Sequence, residues 1–320
     1  MSSLTRAHAI DRGELDGFAT RVLRAPETAL EAAYVPAAGM VGASLRHGGD
    51  ELLAARRGLA AYAATGATMG IPLLHPWANR LDGFSYTAAG RHVTLQPGQP
   101  GLRLEEHGLP IHGLGAFPDW VVREHVADER GARLVAELDF GARPERLAAF
   151  PFPHVLRLAV TLAGDRLAVR TTLEPTADVP VPVAFGFHPY VRLPGVPRAE
   201  WAVELPARER LELDERGIPT GAAHAEEPSR APLGDASLDA SYAVGDGPVR
   251  FAVSGGGRVI EVAFDEGFPF AQVFAPAGQE LICFEPMTAP VSALTIPGAA
   301  GEAPPGGHVS AAFGVAVRAA

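Results

Sequence analysis

The sequence predicts an all-β protein, a large β-sandwich, on three observations. In the clearest segments apolar and polar residues alternate with the period of a strand that buries one face. The 36 glycines and 29 prolines fall at short intervals, which suits strands joined by turns rather than long helices. The 320 residues, 47% hydrophobic and 20% charged, give ample core for two average domains or one large β domain.

In chain order, residues 51–64 are the best helical candidate by composition. Gly58 and the lack of clean caps leave a loop with one turn of helix equally open. Residues 133–140 read as a strand. In residues 156–162, Leu156, Leu158, Val160 and Leu162 share one face. Ala163-Gly164-Asp165 turns the chain, and residues 167–173 repeat the period, which reads as a hairpin. Residues 215–235 are polar and rich in Pro and Ala, the composition of a long surface loop. Further strands are expected at 249–253, 259–264, 270–274 and 280–284. No repeat of fixed period is present. Strands continue on both sides of 215–235 without change of character, so one domain over residues 1–320 is expected.

Composition excludes several functions. The net charge of −10 argues against nucleic acid as a partner, because phosphate contacts want a positive surface. All 27 basic residues are arginine, so Schiff-base catalysis, a pyridoxal phosphate anchor and a P-loop lysine are excluded. The single cysteine, Cys283, rules out an intramolecular disulfide and a multi-cysteine zinc site, and its apolar surroundings read as core. Asp11, Arg12, Glu14 and Asp16 interrupt any apolar signal-peptide core. No run reaches the ~18 apolar residues of a membrane span. The expectation is a cytoplasmic protein, monomer or homodimer, with no membrane partner.

Two short islands carry the chemistry. In Leu281-Ile282-Cys283-Phe284-Glu285, alternation puts Leu281, Cys283 and Glu285 on one face and Ile282 and Phe284 on the other. A carboxylate on such a face is either paired in a core or open to a cavity. Burial would raise its proton affinity and make it a better base. In Ala184-Phe185-Gly186-Phe187-His188-Pro189-Tyr190, the proline ends ladder hydrogen bonding and keeps His188 extended, while Gly186 permits close approach of a backbone or ligand. His188 reads either as a catalytic acid or as a core histidine satisfied by a carbonyl.

Three further islands are Pro76-Trp77-Ala78-Asn79-Arg80-Leu81, Ile111-His112-Gly113-Leu114 and Ser237-Leu238-Asp239. Arg80 offers a planar fork for adjacent oxygens, or a surface salt bridge. Asp239 reads as a hydroxyl acceptor or a turn aspartate. Trp77, Trp120 and Tyr190 read as stacking platforms for a ligand or as core. His75, His107 and His112 lack the spacing of a zinc motif, and no metal is expected.

The five islands, in this order over residues 35–315, resemble the aldose 1-epimerase (mutarotase-like) family. The resemblance implies a many-stranded supersandwich and cofactor-free interconversion of the α and β anomers of a small-molecule sugar. It implies Glu285 as general base, His188 as general acid and His112 as an assistant at the ring oxygen. It implies substrate binding by Arg80 and Asp239, with Asn79 and Tyr190 beside them. Gly186-Phe187-His188-Pro189-Tyr190-Val191-Arg192 departs from the Asn-His-x-Tyr-Phe-Asn pattern of galactose mutarotases, and His112-Gly113-Leu114 from their His-Gly-Gly. The chain therefore resembles the broader branch of the family, and galactose is not implied. Two alternatives stay open. A hexose-6-phosphate 1-epimerase would need arginines at the site mouth, for which Arg56, Arg57, Arg103 and Arg192 are candidates. A carbohydrate-binding protein without turnover would not need the Glu285/His188 pair.

Overall fold

The computed structural model describes residues 8–320 and is dominated by strands. A nine-stranded antiparallel sheet runs, edge to edge, through Val121–Asp128, Gly131–Asp139, His154–Ala163, Arg166–Pro175, Val309–Ala319, Arg258–Glu266, Val249–Gly255, Ala202–Leu205 and Ser229–Pro232. The last strand in chain order, Val309–Ala319, thus lies in the middle of this sheet. An eight-stranded sheet is built on Pro219–Glu226, Arg208–Leu213, Leu238–Ala243, Phe270–Ala275, Ile282–Met287, Gly186–Phe187 and Leu73–Leu74, with Tyr190–Val191 also paired to Ile282–Met287. A five-stranded meander, Ala9–Leu15 through Asp50–Glu51, joins the eight-stranded sheet through a bridge between Gly42 and Ile71, and the segment that follows it adds a bridge between Leu53 and Val191.

The two large sheets face each other across an aromatic core. Phe284 stacks on Phe251 with centroids 5.4 Å apart, and Phe187 tilts against Phe313 at 4.8 Å. All four rings are buried, and each contributes about 1.5–3 kcal/mol through the apolar area it removes from water. Because side chains alternate along a strand, the residues between these rings point away from the sandwich core. In Ile282–Met287 those residues are Cys283 and Glu285. The outer face of the eight-stranded sheet is therefore where polar groups collect.

The predicted hairpin is present as His154–Ala163 and Arg166–Pro175, with Leu162 opposite Leu167. The other expected strands also form, longer by a residue or two at most ends. The strand expected at 280–284 starts at Ile282 and continues through Pro286 to Met287. Proline does not end it, and Pro286 lies opposite Ala271 within the ladder.

The loop expected at 215–235 is instead largely strand, Pro219–Glu226 and Ser229–Pro232. Nearly all its side chains are exposed, so no buried face imposes an alternation. Backbone pairing to Arg208–Leu213 and Ala202–Leu205 holds it. Within the helical candidate only Leu59–Thr65 is helical. Gly58 sits before its first turn, and Gly66 closes it at φ 68° with its N–H on the Tyr62 carbonyl. Among the described residues no helix is long and apolar enough to cross a membrane.

Candidate active site

A polar row crosses three neighbouring strands of the eight-stranded sheet. Ser241 lies opposite Gln272, and Gln272 lies opposite Glu285. The Ser241 hydroxyl donates to Gln272 Oε1, and Gln272 Nε2 donates to Asp239. Gln272 is thus a bracket between two strands that fixes the Asp239 carboxylate beside the cavity. On the other side, Gly186 pairs with Met287, a register that carries His188 up to Glu285. A Cβ at Gly186 would stand 2.7 Å from the Pro286 carbonyl, so the close approach foreseen for this glycine is a backbone one.

His188 Nε2 lies 3.3 Å from Glu285 Oε1. Both residues are buried, and among the described residues Glu285 Oε2 has no hydrogen-bond partner. Burial favours the uncharged form of each group. It pushes the Glu285 carboxyl well above the usual carboxylate range, with Asp239 adding to the rise and Arg80 opposing it. Burial pulls the His188 imidazole down, and the charges of Arg56 and Arg103 pull it further. Both shifts favour the uncharged pair, a carboxylic acid beside a neutral imidazole.

Tyr190 braces the imidazole. Its ring lies parallel to that of His188 with centroids 4.2 Å apart. Its hydroxyl stands 3.2 Å from His188 Nε2 and 2.7 Å from Thr68 Oγ1.

The roof comes from two loop segments locked to each other. The His112 N–H donates to the Asn79 carbonyl at 2.9 Å, and the Asn79 N–H donates to His112 Nδ1 at 3.3 Å. Both residues adopt left-handed backbone, φ 56° and 62°, a conformation uncommon outside glycine and tolerated best by residues such as Asn, Asp and His. Because Nδ1 accepts, the neutral His112 ring carries its proton on Nε2. Burial, then the nearby His188, Arg103 and Arg80, hold His112 well below its ordinary value, so it stays a neutral donor.

Asn79 Oδ1 receives the Arg80 N–H at 2.8 Å and Arg80 Nη1 at 3.2 Å. Glu105 Oε2 receives Arg80 Nε at 3.4 Å. The Arg80 guanidinium also packs on Gly217, in the turn that joins Arg208–Leu213 to the edge strand Pro219–Glu226.

Glu285, His188, His112, Arg80, Asp239, Asn79 and Tyr190, the seven residues singled out from sequence, all line one cavity of about 190 Å³. Arg56 and Arg103 line it as well, and together with Arg57 they line an adjoining outer cleft of about 450 Å³. Arg192 lines neither. Trp77 and Trp120 are core residues rather than platforms, and Cys283 is buried as expected.

His75 does not join His107 and His112. Its Nε2 meets His154 Nε2 at 2.9 Å deep in a phenylalanine cage. Glu105, Glu106 and His107 bring ligand atoms within 4.8 Å of one another. Glu105 Oε1, however, already accepts the amides of His107 and Leu109, so the group is a capped turn.

Sequence reasoning missed Gln272, Glu105 and Thr68. Gln272 carried a faint signal, a polar residue between Ala271 and Val273 in an apolar strand.

A family model described as aldose 1-epimerase matches residues 40–310. No curated protein matches the chain significantly. Among solved structures, a galactose mutarotase-like protein from Clostridium acetobutylicum superposes with a TM-score of 0.84 at 15% identity, covering 98% of this chain and 99% of that one. A protein from Synechocystis gives 0.75 at 23% identity over 100% of both chains. An aldose epimerase homologue from C. elegans gives 0.71 at 16% identity over 98% and 99%. At such identities these likenesses speak of the fold, and that fold is the many-stranded sandwich the sequence foretold.

Proposed function

The chain belongs to the aldose 1-epimerase family, a family of isomerases, and from that premise we propose that it interconverts the α and β anomers of an aldose by proton transfer between Glu285 and His188. The observation that carries the reading is their 3.3 Å contact on a cavity wall, with Glu285 Oε2 unpartnered among the described residues. The anomeric hydroxyl and the ring oxygen of an aldose are bonded to the same carbon. Acid and base must therefore be neighbours, and these two are.

Ring opening starts once the proton that burial favours on Glu285 has passed across the 3.3 Å contact to His188. Glu285 takes the proton of the anomeric hydroxyl while the His188 imidazolium protonates the ring oxygen, which breaks the C1–O bond and leaves a free aldehyde. Rotation about C1–C2 presents the other carbonyl face. In closure, His188 takes the proton back from the attacking hydroxyl and Glu285 returns its proton to the carbonyl oxygen. No net proton is gained or lost, and no cofactor is needed. In this reading the His112 Nε2–H donates to the ring oxygen, and Arg80, Asn79 and Asp239 hold the remaining hydroxyls.

The test is polarimetry on a freshly dissolved α-aldose at neutral pH. Glu285→Gln keeps the shape but removes the base, and it is expected to slow the enzymatic relaxation about 10²–10⁴-fold, with His188→Ala comparably slow. Parental rates in both variants would refute the assignment. A second reading, an aldose bearing a phosphoryl group, is favoured by the convergence of Arg56, Arg57 and Arg103 on the cleft outside the cavity.

A further inference from the structure

The hairpin of Arg208–Leu213 and Pro219–Glu226 is fastened at both ends and loose between them. At its base, the Arg208 guanidinium carbon lies 5.1 Å from the centroid of the Tyr242 ring, and Arg208 pairs with Glu226. At its tip, Asp214 Oδ1 accepts the amides of Arg216 and Ile218, each at 2.9 Å. Ile218 is buried, and Gly217 packs on Arg80. Arg216 Nη1 reaches across to Asp82 Oδ1 at 2.8 Å. These two side chains are 44% and 42% exposed, and an ion pair so exposed is a weak clasp.

Between the ends the ladder opens. Among the described residues Arg208–Leu213 pairs with Leu238–Ala243 at two positions only, Glu209 with Ala243 and Arg210 with Tyr242. In the same register Glu212 would face Ala240 and Leu213 would face Asp239. Instead the strands part, and a cleft of about 360 Å³ lies between them, lined by Arg210, Leu211, Glu212, Leu213, Asp239 and Ala240. The far side of the hairpin gives way at the same level. Leu211 pairs with Ala223 and Leu213 with Pro219, so Thr220, Gly221 and Ala222 stand opposite Glu212 alone. Gly221 takes φ 91° there. A bulge of this kind bends a strand and ends regular pairing.

The parting of the strands follows from Asp239, a wall of both the cleft and the sugar cavity. Its carboxylate is exposed, and Gln272 Nε2 is its one hydrogen-bond donor among the described side chains. Pairing Leu213 onto Asp239 would strip water from a carboxylate whose other lone pairs are unmet, a cost that backbone pairing does not offset without new donors. Sugar hydroxyls are such donors. Once they are in place, closure gains ladder hydrogen bonds and buries Leu211 and Leu213, which are now half-buried. A bound sugar thus favours the closed ladder over the open one, as any ligand-driven change requires.

We propose that residues 208–226 are a strap that zips shut beside Asp239 when a sugar binds, and that closure holds the open-chain aldehyde in the cavity until its ring re-forms. The retention rests on the anomer-interconversion reading above; the closure does not. Arg216, through Asp82, positions the strap and touches no substrate. A closing element of this kind keeps water out and commits the intermediate to the forward path.

The first measurement is hydrogen exchange on the unmodified protein, with and without D-glucose, D-galactose, D-xylose or D-glucose 6-phosphate, alongside polarimetry of each sugar. A sugar that is turned over should slow exchange at Leu211–Leu213 about tenfold and leave the edge strand Ser229–Pro232 unchanged. The second is disulfide trapping in a Glu212→Cys/Ala240→Cys protein, which is clean because the chain's own Cys283 is buried. The new pair should oxidise faster with that sugar present. The linked protein should stop turning over, and dithiothreitol should restore it. The third uses semicarbazide, which captures free aldehyde. Arg216→Gln protein should release several-fold more aldehyde per anomer interconverted than the parent.

Turnover of a sugar that leaves Leu211–Leu213 exchange unchanged, or trapping indifferent to that sugar, would overturn the strap and leave the epimerase reading standing. Slowed exchange without turnover would uphold the closure and sink the epimerase reading, with aldehyde retention alongside it. Neither turnover nor slowed exchange with any of the four sugars would overturn both.

Discussion

Acid should loosen this protein through a pair of histidines that never meets the substrate. His154 Nδ1 donates to the Phe152 carbonyl at 2.6 Å, so its Nε2 is left as acceptor for the His75 Nε2–H. The arrangement has room for one proton between the rings, not two. Burial lowers the His154 value from 6.5 to about 4 and pulls His75 well below its ordinary value. The folded state thus resists a proton that the unfolded chain accepts. His154's share of stability is fully present above pH 6.5 and is lost as pH falls toward about 4. At ~1.4 kcal/mol per pH unit, that window is worth roughly 3 kcal/mol for His154.

The loss reaches the site. The His75 carbonyl receives the Leu114 N–H at 3.0 Å, and His75 bridges to Gly113, so the pair anchors both roof segments. Urea unfolding at several pH values between 7.5 and 4.5, on the parent and on His154→Gln, reads the effect. The parent should lose up to ~1.4 kcal/mol per pH unit more than the variant below pH 6.5. Buried His112 and His188 add losses of the same sign. Glu285, whose acid form burial favours, contributes in the opposite sense, with stability lost as pH rises. Comparing the two proteins cancels these shared contributions. Identical pH slopes would refute the reasoning.

Gln272→Ala removes the bracket on Asp239 and leaves the Ser241 hydroxyl unpaired. KM should rise about tenfold with little change in kcat, a loss of ~1.4 kcal/mol in binding that steady-state polarimetry resolves. Gly113→Ala puts a Cβ 2.0 Å from the His75 carbonyl oxygen at φ 70°. It should destabilise by more than ~3 kcal/mol, read as a lowered urea midpoint with activity lost alongside. Gly217→Ala sets a methyl 3.0 Å from Arg80 Nη1 at φ 75°. It should cost only about 1–2 kcal/mol of stability yet raise KM several-fold, which separates the support of Arg80 from the integrity of the fold.

The fold was legible wherever a strand buries one face. His154–Ala163 and Arg166–Pro175 alternate because Leu156, Leu158, Leu167 and Val169 enter the core while their neighbours do not. Pro219–Glu226 was illegible because backbone pairing at a sheet edge leaves no mark on side-chain pattern. The candidate site was legible where chemistry and chain punctuation coincide, as in His188-Pro189. It was illegible where a residue acts through register. Gln272 matters because pairing sets it beside both Ser241 and Glu285, and no local pattern encodes that. His75 and His154 are joined by packing alone, so the sequence could offer His75 only a metal or nothing.

The strand Val309–Ala319 lies between Arg166–Pro175 and Arg258–Glu266, so the larger sheet stays in two pieces until that strand is seated. The site is likewise assembled from segments reaching from Asn79 to Glu285. Loop closure over such distances must precede any reward from contacts. Completion of the larger sheet and of the site therefore both wait on pairings between segments far apart in the chain. Trimming the chain short of Val309 would yield an aggregation-prone species with two open sheet edges, not a weakened enzyme.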